Sequence, residues 1–189
     1  INNYMAQSKY IQSLKKEVGG RNLSTEWYRR KIVEFGKPNR TKLIQDGKRR
    51  ASPFFGKLNM FFYNPKLKQK LPYYDIFPLV LPLKRYSDGF LGINFHYLPI
   101  PLRVRLLDKL TDYSSNDKFD ETTRLNVKYE NVKRIKLIQP TLHKYLYSYT
   151  NSAFRRIDAD EFVIATMLPV QQFKKASSRE VWSDSRRML

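Results

Sequence analysis

The chain has 189 residues, of which 36 are Lys or Arg and 17 are Asp or Glu, so its formal net charge at pH 7 is +19. Hydrophobic residues make up 41% of the chain and aromatic residues 14%, which is enough for a packed core and excludes a disordered polycation. The absence of Cys excludes disulfides, thiolate metal sites and a Cys nucleophile. A charge surplus of this size predicts a polyanionic partner, with nucleic acid as the first candidate.

A membrane surface is the second candidate, and the sequence lacks the features it requires. No apolar run approaches the roughly 20 residues that span a bilayer. Neither a basic amphipathic helix nor a basic cluster beside a long apolar run is present. We therefore predict no membrane partner.

The charge is distributed unevenly along the chain. Residues 1–57 carry +10 of the +19, whereas residues 157–189 are neutral. A strongly basic segment next to a segment rich in apolar residues indicates an arm attached to a folded body. The predicted parts are a basic helical arm (1–53), an α+β body (54–173) and a C-terminal tail (174–189).

In the arm, two short helices are predicted, one from Tyr4 to Val18 and one from its capping residue Ser24 to Lys37. Their apolar stripes are narrow. The polar, basic stretch that follows has little to bury, so we expect it to be helical or irregular and to be ordered mainly by a partner. Its candidate phosphate contacts are Lys48, Arg49 and Arg50.

The body begins near Phe54 with signals for strands. Residues 58–63 are typical of a strand, and residues 77–83 and 90–97 form two further extended runs. Asp88-Gly89 lies between these two runs, which is typical of a β-hairpin. The fold class indicated is α+β, with a small, mostly antiparallel sheet flanked by helices.

Two prolines constrain the first strand of the predicted hairpin. Pro78 and Pro82 lie two residues either side of Val80. Because proline cannot donate a hydrogen bond to a neighbouring strand, this strand is predicted to be an edge strand or a bulged one.

A helix is predicted over residues 102–110, opened by Pro99 and Pro101. Arg103 and Arg105 fall off its apolar face, so we expect them to reach solvent or phosphate. The apolar face consists of Leu102, Leu106, Leu107 and Leu110.

The second half of the body has weaker signals. Residues 114–123 are predicted to be a polar loop, and residues 127–138 fit either a helix or a strand. Thr141 is predicted to cap a helix that contains His143 and Tyr145. The remaining predictions are an extended segment over 151–157, a helix over 158–168 with a capping-box-like start at Asp158 and Glu161, and a polar tail anchored by Trp182.

Basic DNA-handling proteins are often nucleases, which makes catalytic groups the next question for this sequence. A metal-dependent nuclease needs at least two carboxylates that converge on Mg²⁺. Most acidic residues of the body belong to turns or helix surfaces, with Asp75 as the exception, and His96 is more typical of a half-buried structural histidine than of a catalytic one. Two isolated histidines without Cys disfavour zinc, and no phosphate-binding Gly-rich loop is present. We predict no catalytic residue, metal, cofactor or small-molecule substrate.

Basic residues interleaved with tyrosines are the strongest remaining signal. Long cationic side chains reach phosphates, while tyrosines such as Tyr145, Tyr147 and Tyr149 can donate to phosphate oxygens or stack on exposed bases. The pattern predicts sequence-nonspecific binding to duplex DNA. The candidate phosphate contacts in the body are Arg103, Arg105, Lys133, Arg134, Lys136, Lys144, Arg155 and Arg156.

Three motifs resemble the DNA end protector proteins of large contractile-tailed bacteriophages. They are Leu-Pro-Tyr-Tyr-Asp at 71–75, Asn-Phe-His-Tyr-Leu-Pro at 94–99 and Trp-Ser-Asp-Ser-Arg-Arg at 182–187. The resemblance covers about residues 55–189 and does not include the basic arm, whose role is inferred from charge alone.

The resemblance implies a minor virion protein that binds the ends of packaged double-stranded DNA, shields them from host exonuclease after injection and helps to complete the head. It also implies a location in the head or head–tail neck, with portal and connector proteins as neighbours, and later in the host cytoplasm. Two alternatives stay open. One is a structural neck, portal or baseplate protein with a basic partner-binding surface, and the other is an end-processing nuclease that uses Asp75 and His96.

Overall fold

The computed structural model describes residues 48–112, 127–157 and 162–189. These residues form an α+β fold with a six-stranded sheet and a two-stranded sheet, and the strand pairings are antiparallel. The predicted fold class is therefore confirmed. None of the helices in the described segments is long and apolar enough to cross a membrane.

Several predicted elements lie outside the described residues. They are the two arm helices, the polar loop over 114–123 and the helix start at Asp158 and Glu161.

The large sheet has the strand order β1-β7-β2-β4-β5-β6, and β3 pairs with β8 in the small sheet. Three short 3₁₀ helices, Phe95–Tyr97, Lys136–Thr141 and Tyr147–Tyr149, connect these elements within the described segments. The strands are β1 (Arg49–Arg50), β2 (Leu58–Met60), β3 (Tyr74–Asp75), β4 (Leu79–Arg85), β5 (Gly89–Asn94), β6 (Leu142–Leu146), β7 (Phe154–Ile157) and β8 (Phe173–Lys174). The helices are α1 (Ile100–Asp112), α2 (Tyr129–Val132), α3 (Phe162–Met167) and α4 (Ser178–Arg187).

Strands β4 and β5 form the predicted hairpin, with Asp88 in the turn and Gly89 at the start of β5. A Cβ atom on Gly89 would lie 2.0 Å from the backbone oxygen of Tyr145, so only glycine allows this approach of β6. Strand β4 lies between β2 and β5 and is not an edge strand. Its register shifts between Pro82 and Lys84, which confirms the bulged form of the prediction.

The two faces of the large sheet bury different residues because side chains alternate along each strand. Leu79 and Leu81 belong to an aliphatic core that includes residues of α1 and α3, and we call this side the aliphatic face. Val80, between them, belongs to a smaller cluster on the opposite side, which we call the aromatic face. The aromatic-face cluster consists of Phe61, Tyr63, Val80, Phe90, Tyr145 and Phe154, with Phe54, Phe55, Tyr147 and Tyr149 packed against it.

The helix predicted after Thr141 is wrong, since residues 142–146 form strand β6. This segment pairs with β5 over its whole length, from Leu142 opposite Ile93 to Leu146 opposite Gly89. Leu142 packs against the aliphatic core while Tyr145 belongs to the aromatic cluster, as alternation along a strand requires. Pairing with β5 therefore overrides the local helix signal.

The two ends of the described fold also differ from prediction. Arg49 and Arg50, expected to be helical or irregular, form the edge strand β1 of the large sheet. The C-terminal segment, predicted to be a polar tail, contains helix α4. Its capping box is complete because Ser177 accepts a hydrogen bond from the backbone of Glu180, whose carboxylate accepts one in return.

Candidate nucleic-acid interface

Arginines concentrate where β1 pairs with β7 at one edge of the large sheet. Arg49 lies directly opposite Arg155, and Arg50 lies opposite Phe154. Lys48 precedes β1, and its carbonyl oxygen accepts a hydrogen bond from the backbone N–H of Arg156. Five of the predicted phosphate contacts therefore share this edge, which we call the arginine edge: Lys48, Arg49, Arg50, Arg155 and Arg156.

Like charges meet at the arginine edge. Partial burial lowers the pKa of Arg155, and the positive charge of Arg49 on the neighbouring strand lowers it further. Cross-strand neighbours of the same charge destabilise a sheet. A phosphate group placed between these two side chains would replace repulsion with attraction.

Because successive side chains of a strand point to opposite faces, the side chains of the arginine edge lie on both sides of the sheet. Arg155 lies opposite Met60 of the aliphatic core, whereas Arg50 lies opposite Phe154 of the aromatic cluster. Arg156 lies opposite Asn59 and also belongs to the aromatic side. The cations therefore project on both sides of the edge strand.

A second group of predicted contacts lies between α2 and β6, and one of them, Lys144, is on the edge strand β6 itself. Lys133, Arg134 and Lys136 are exposed in the segment from α2 to β6. Lys133 forms an exposed ion pair with Glu130, with 2.6 Å between Nζ and Oε2, and Lys144 on β6 forms one with Asp88 at 2.8 Å. Exposed ion pairs of this kind are weak, so both lysines can exchange a carboxylate for a phosphate at little cost.

The structure does not bring all these cations onto one face. Strands β1 and β6 are the two edges of the large sheet, separated by five strand spacings or about 24 Å. Among the described residues, the arginine edge lies at one side of the large sheet and Lys144 lies on the edge strand at the other side. A partner that contacts both groups must be at least as long as the sheet is wide.

Arg103 is not on the surface, and its predicted exposure is wrong. Its exposed fraction is 0%, with Nε donating to the carbonyl of Leu98 at 2.6 Å and Nη2 donating to Oε1 of Gln171 at 3.0 Å. Nη1 donates to the carbonyls of Thr166 and Leu168, both at 3.4 Å. Burial lowers the pKa of Arg103 to about 9, so the side chain stays charged at neutral pH. Arg105, two residues further along α1, is partly buried.

Asp75 and His96 are in contact, but both are buried. Nδ1 of His96 lies 2.6 Å from Oδ2 of Asp75, with exposed fractions of 0% and 3% for the two residues. Oδ1 of Asp75 accepts hydrogen bonds from the backbone N–H groups of Phe77 and Gln172. Both groups are therefore withdrawn from solvent, whereas a nuclease that uses this pair would need them at the surface.

The protonation state of the buried pair follows from its hydrogen bonds. Burial raises the pKa of Asp75, but His96 and the two backbone donors lower it more, so the carboxyl is ionised. Burial lowers the pKa of His96 against the opposing effect of Asp75. Because the carboxylate only accepts, Nδ1 carries the proton, and Nε2 is buried without a hydrogen-bond partner. The neutral ring is therefore favoured, since a charged ring would bury an unpaired N–H at Nε2.

A lysine cluster beside the small sheet was missed by the sequence analysis. Lys66, Lys68 and Lys70 belong to the turns before β3, and Lys174 lies on β8. Lys175, with a φ of 70°, donates from Nζ to the carbonyl oxygens of residues 68, 69 and 71, and so joins β8 to these turns. The alternating lysines at 66, 68 and 70 were a sequence signal for this cluster.

The comparisons with known proteins point to one family. A family model described as Phage T4 terminal DNA protecting protein matches residues 3–185. The matched region begins in the basic arm, so it extends beyond the segment of about 55–189 in which the motifs were found. Neither a curated protein nor a solved structure matches the chain.

Proposed function

We propose that this chain, which belongs to the family described as Phage T4 terminal DNA protecting protein, binds the ends of packaged double-stranded DNA and shields them from exonuclease. The family match carries the proposal because it spans residues 3–185, and therefore both the arm and the described fold. The net charge of +19 supports it, since end protection requires firm attachment to a polyanion.

The proposed mechanism is occupancy of the DNA end. Lys and Arg side chains at both edges of the sheet bind phosphates, and such contacts position a protein on a duplex without reading its sequence. An exonuclease must engage the terminal nucleotides, so a protein bound there blocks it without breaking any bond. This proposal requires no catalytic group.

We extend the proposal to the phage particle. A protein bound to the ends of packaged DNA lies where the head meets the tail, so a contribution to head completion and contacts with portal or connector proteins are consistent with it. The same protein would act in the host cytoplasm once the DNA has been injected.

Exonuclease digestion of a linear duplex tests the function directly. The duplex is incubated with a double-strand exonuclease, with and without the full chain, and the remaining DNA is measured over time. We expect the protein to preserve the full-length duplex at concentrations at which an equally basic control protein does not. In a second control, a closed circular duplex, which has no ends, is treated with an endonuclease in place of the exonuclease. A protein that merely coats DNA would protect this circle from the endonuclease as well as it protects the linear duplex from the exonuclease.

Two results would contradict the proposal. Equal protection of circular and linear DNA would indicate coating without end protection. Shortening of the linear duplex by the protein and Mg²⁺ alone would instead favour the end-processing nuclease.

A further inference from the structure

The segment that joins β1 to β2 crosses the aromatic face and is held in a fixed conformation. Asn59 is completely buried, and its side chain accepts from the backbone N–H of Phe54 at 2.8 Å. The same amide donates to the carbonyl oxygens of Phe54 and Lys57 at 2.9 and 2.8 Å. Gly56 has a φ of 76°, a conformation that favours glycine. The positions of Phe54 and Phe55 are therefore set by the backbone.

Three arginines lie over these two partly buried rings. The guanidinium carbon of Arg50 is 4.0 Å from the ring centre of Phe54, and that of Arg156 is 6.0 Å from the same ring. The guanidinium carbon of Arg85 is 4.8 Å from the ring centre of Phe55. Arg50 also donates to the backbone carbonyls of residues 52 and 53. We call these five side chains the arginine–phenylalanine platform.

Strand register places the platform on one side of the sheet. Arg50 lies opposite Phe154 and Arg85 lies opposite Phe90, and both phenylalanines belong to the aromatic cluster. Beneath the platform, the rings of Phe55 and Phe90 meet edge to face with their centres 6.5 Å apart. The helices α1 and α3 pack on the other side, against the aliphatic core. Among the described residues, the platform therefore covers part of the aromatic face, on the side of the sheet away from these helices.

We propose that the arginine–phenylalanine platform binds the terminal base pair of a duplex end. An internal segment of DNA presents phosphates and groove edges, whereas an end also presents the flat, apolar face of its last base pair. Arginine guanidinium groups stack on planar rings while their edges donate to phosphate oxygens. The platform offers both kinds of contact, and the arginine edge beside it offers phosphate contacts for the adjoining strand.

The chemistry of the platform favours DNA over an acidic protein surface. Carboxylates need cations but do not need planar stacking groups, so lysines without rings would serve them equally well. Holding the guanidinium groups against rings fixed by the backbone reduces the entropy lost on binding. The inference rests on the proposed function and adds to it the site that distinguishes an end from internal duplex.

The test replaces planar guanidinium groups with ammonium groups of equal charge. We compare the affinity of the wild-type chain and of the double variant Arg85→Lys/Arg156→Lys for a short blunt duplex and for the same sequence closed by a hairpin loop at each end. The matched control is Arg179→Lys/Arg186→Lys, which makes the same change at exposed positions on helix α4. Thermal unfolding of each variant checks that it is folded.

We expect the wild-type chain to prefer the open duplex by about tenfold, the size of a modest stacking contribution. The platform variant should lose this preference while its affinity for the closed duplex changes by less than about twofold. The control variant should behave like the wild type. A fluorescent base analogue that reports stacking, placed at the terminal position, should respond to binding of the wild-type chain, whereas the same analogue in mid-duplex should not.

The possible outcomes separate the two proposals. If the wild-type chain protects ends but the platform variant keeps the full end preference, or the terminal analogue does not respond, the platform is not the site and the proposed function stands. If the wild-type chain neither prefers nor protects ends, the proposed function itself fails. An acidic protein as the true occupant of the platform would leave DNA binding unchanged in every variant, which also overturns the inference.

Discussion

Arg103 and the arginine edge show two opposite uses of the same residue type. Arg103 is fully buried, and its guanidinium group donates to backbone carbonyls and to Gln171. At the arginine edge, Arg49 and Arg155 lie side by side and repel each other. The hydrogen bonds of the buried Arg103 stabilise the fold. The repulsion between Arg49 and Arg155 makes the fold less stable, and it favours binding of an anion between the two side chains. A count of positive charges therefore overestimates the surface available to DNA.

The interior also differs from the edge in how its charge is balanced. Burial lowers the pKa of Arg103, and the ionised Asp75 partly offsets this effect because the two opposite charges attract each other. In the same region, the backbone carbonyl of His96 accepts hydrogen bonds from Nε1 of Trp182 at 2.9 Å and from Nη2 of Arg103 at 3.4 Å. Buried groups of this kind are costly to leave unpaired. Their substitution should affect folding first and binding only as a consequence.

The largest effect is expected at Arg103. Arg103→Ala leaves several buried carbonyls without donors and Asp75 without a nearby positive charge, so the free energy of unfolding should fall by about 3 to 5 kcal/mol. Urea unfolding measures this change, and Arg134→Ala, an exposed control, should stay within about 0.5 kcal/mol of the wild type. If Arg103→Ala is as stable as the wild type and loses only DNA binding, the contrast between a structural Arg103 and a DNA-binding arginine edge is wrong.

A smaller effect is expected in mild acid. His143 lies on β6, with its ring centre 4.1 Å from that of Tyr97, and not in the predicted helix. Burial lowers the pKa of His143 to about 4, so this ring stays neutral in the folded chain at a pH where an unfolded histidine is protonated. The free energy of unfolding should therefore fall by about 2 to 3 kcal/mol between about pH 7 and about pH 4.

Urea unfolding at a series of pH values measures this effect. Burial also lowers the pKa of His96, which adds to the loss over the same range, while Asp75, with its lowered pKa, adds to it only below about pH 4. His143→Phe keeps a ring beside Tyr97 and removes one titrating group, so its stability should depend less on pH. An unchanged pH profile in this variant would show that His143 is protonated in the folded chain.

The smallest change in stability is expected at the arginine edge. Arg49→Gln/Arg155→Gln relieves repulsion and should raise the free energy of unfolding by a few tenths of a kcal/mol. Wild-type affinity for DNA should fall by roughly a thousandfold over a fourfold rise in salt if six or more phosphates are neutralised. The variant should make this dependence less steep, reducing the magnitude of the slope of log K against log salt by up to about 2.

The cations between α2 and β6 provide the matched comparison. Lys133→Gln/Arg134→Gln removes the same charge from exposed positions that directly follow α2. Equal reductions of the slope in both variants would mean that DNA contacts both groups of cations. A loss confined to the arginine edge would restrict the interface to that side, and a loss in neither would place the contacts elsewhere in the chain.

Local signals in the sequence were sufficient for part of the fold. Asp88-Gly89 between two apolar runs specified the β4–β5 hairpin, and Pro99 and Pro101 marked the start of α1. The capping box of α4 was equally local and was overlooked, although Ser177 and Glu180 have the required spacing. Elements whose signals lie within about ten residues could therefore be predicted.

The candidate site depended on contacts between distant segments. Arg103 falls off the leucine face of α1, but the chain near Thr166 and Leu168 returns to cover it. Strand β6 is extended because β5, about 50 residues earlier, pairs with it. The two groups of cations likewise separate only when the strand order is known. Charge indicated the kind of partner, whereas the positions of the cations required the topology.

The pairing of β1 with β7 also determines when the arginine edge can form during synthesis. Arg49 of β1 lies opposite Arg155 of β7, so the strand that supports β1 leaves the ribosome long after β1 itself. Contacts between such distant segments form late, because closing a long loop is entropically costly. The basic N-terminal residues are thus translated well before the sheet that arranges them. A prematurely terminated chain would carry much of the positive charge but lack the arginine edge.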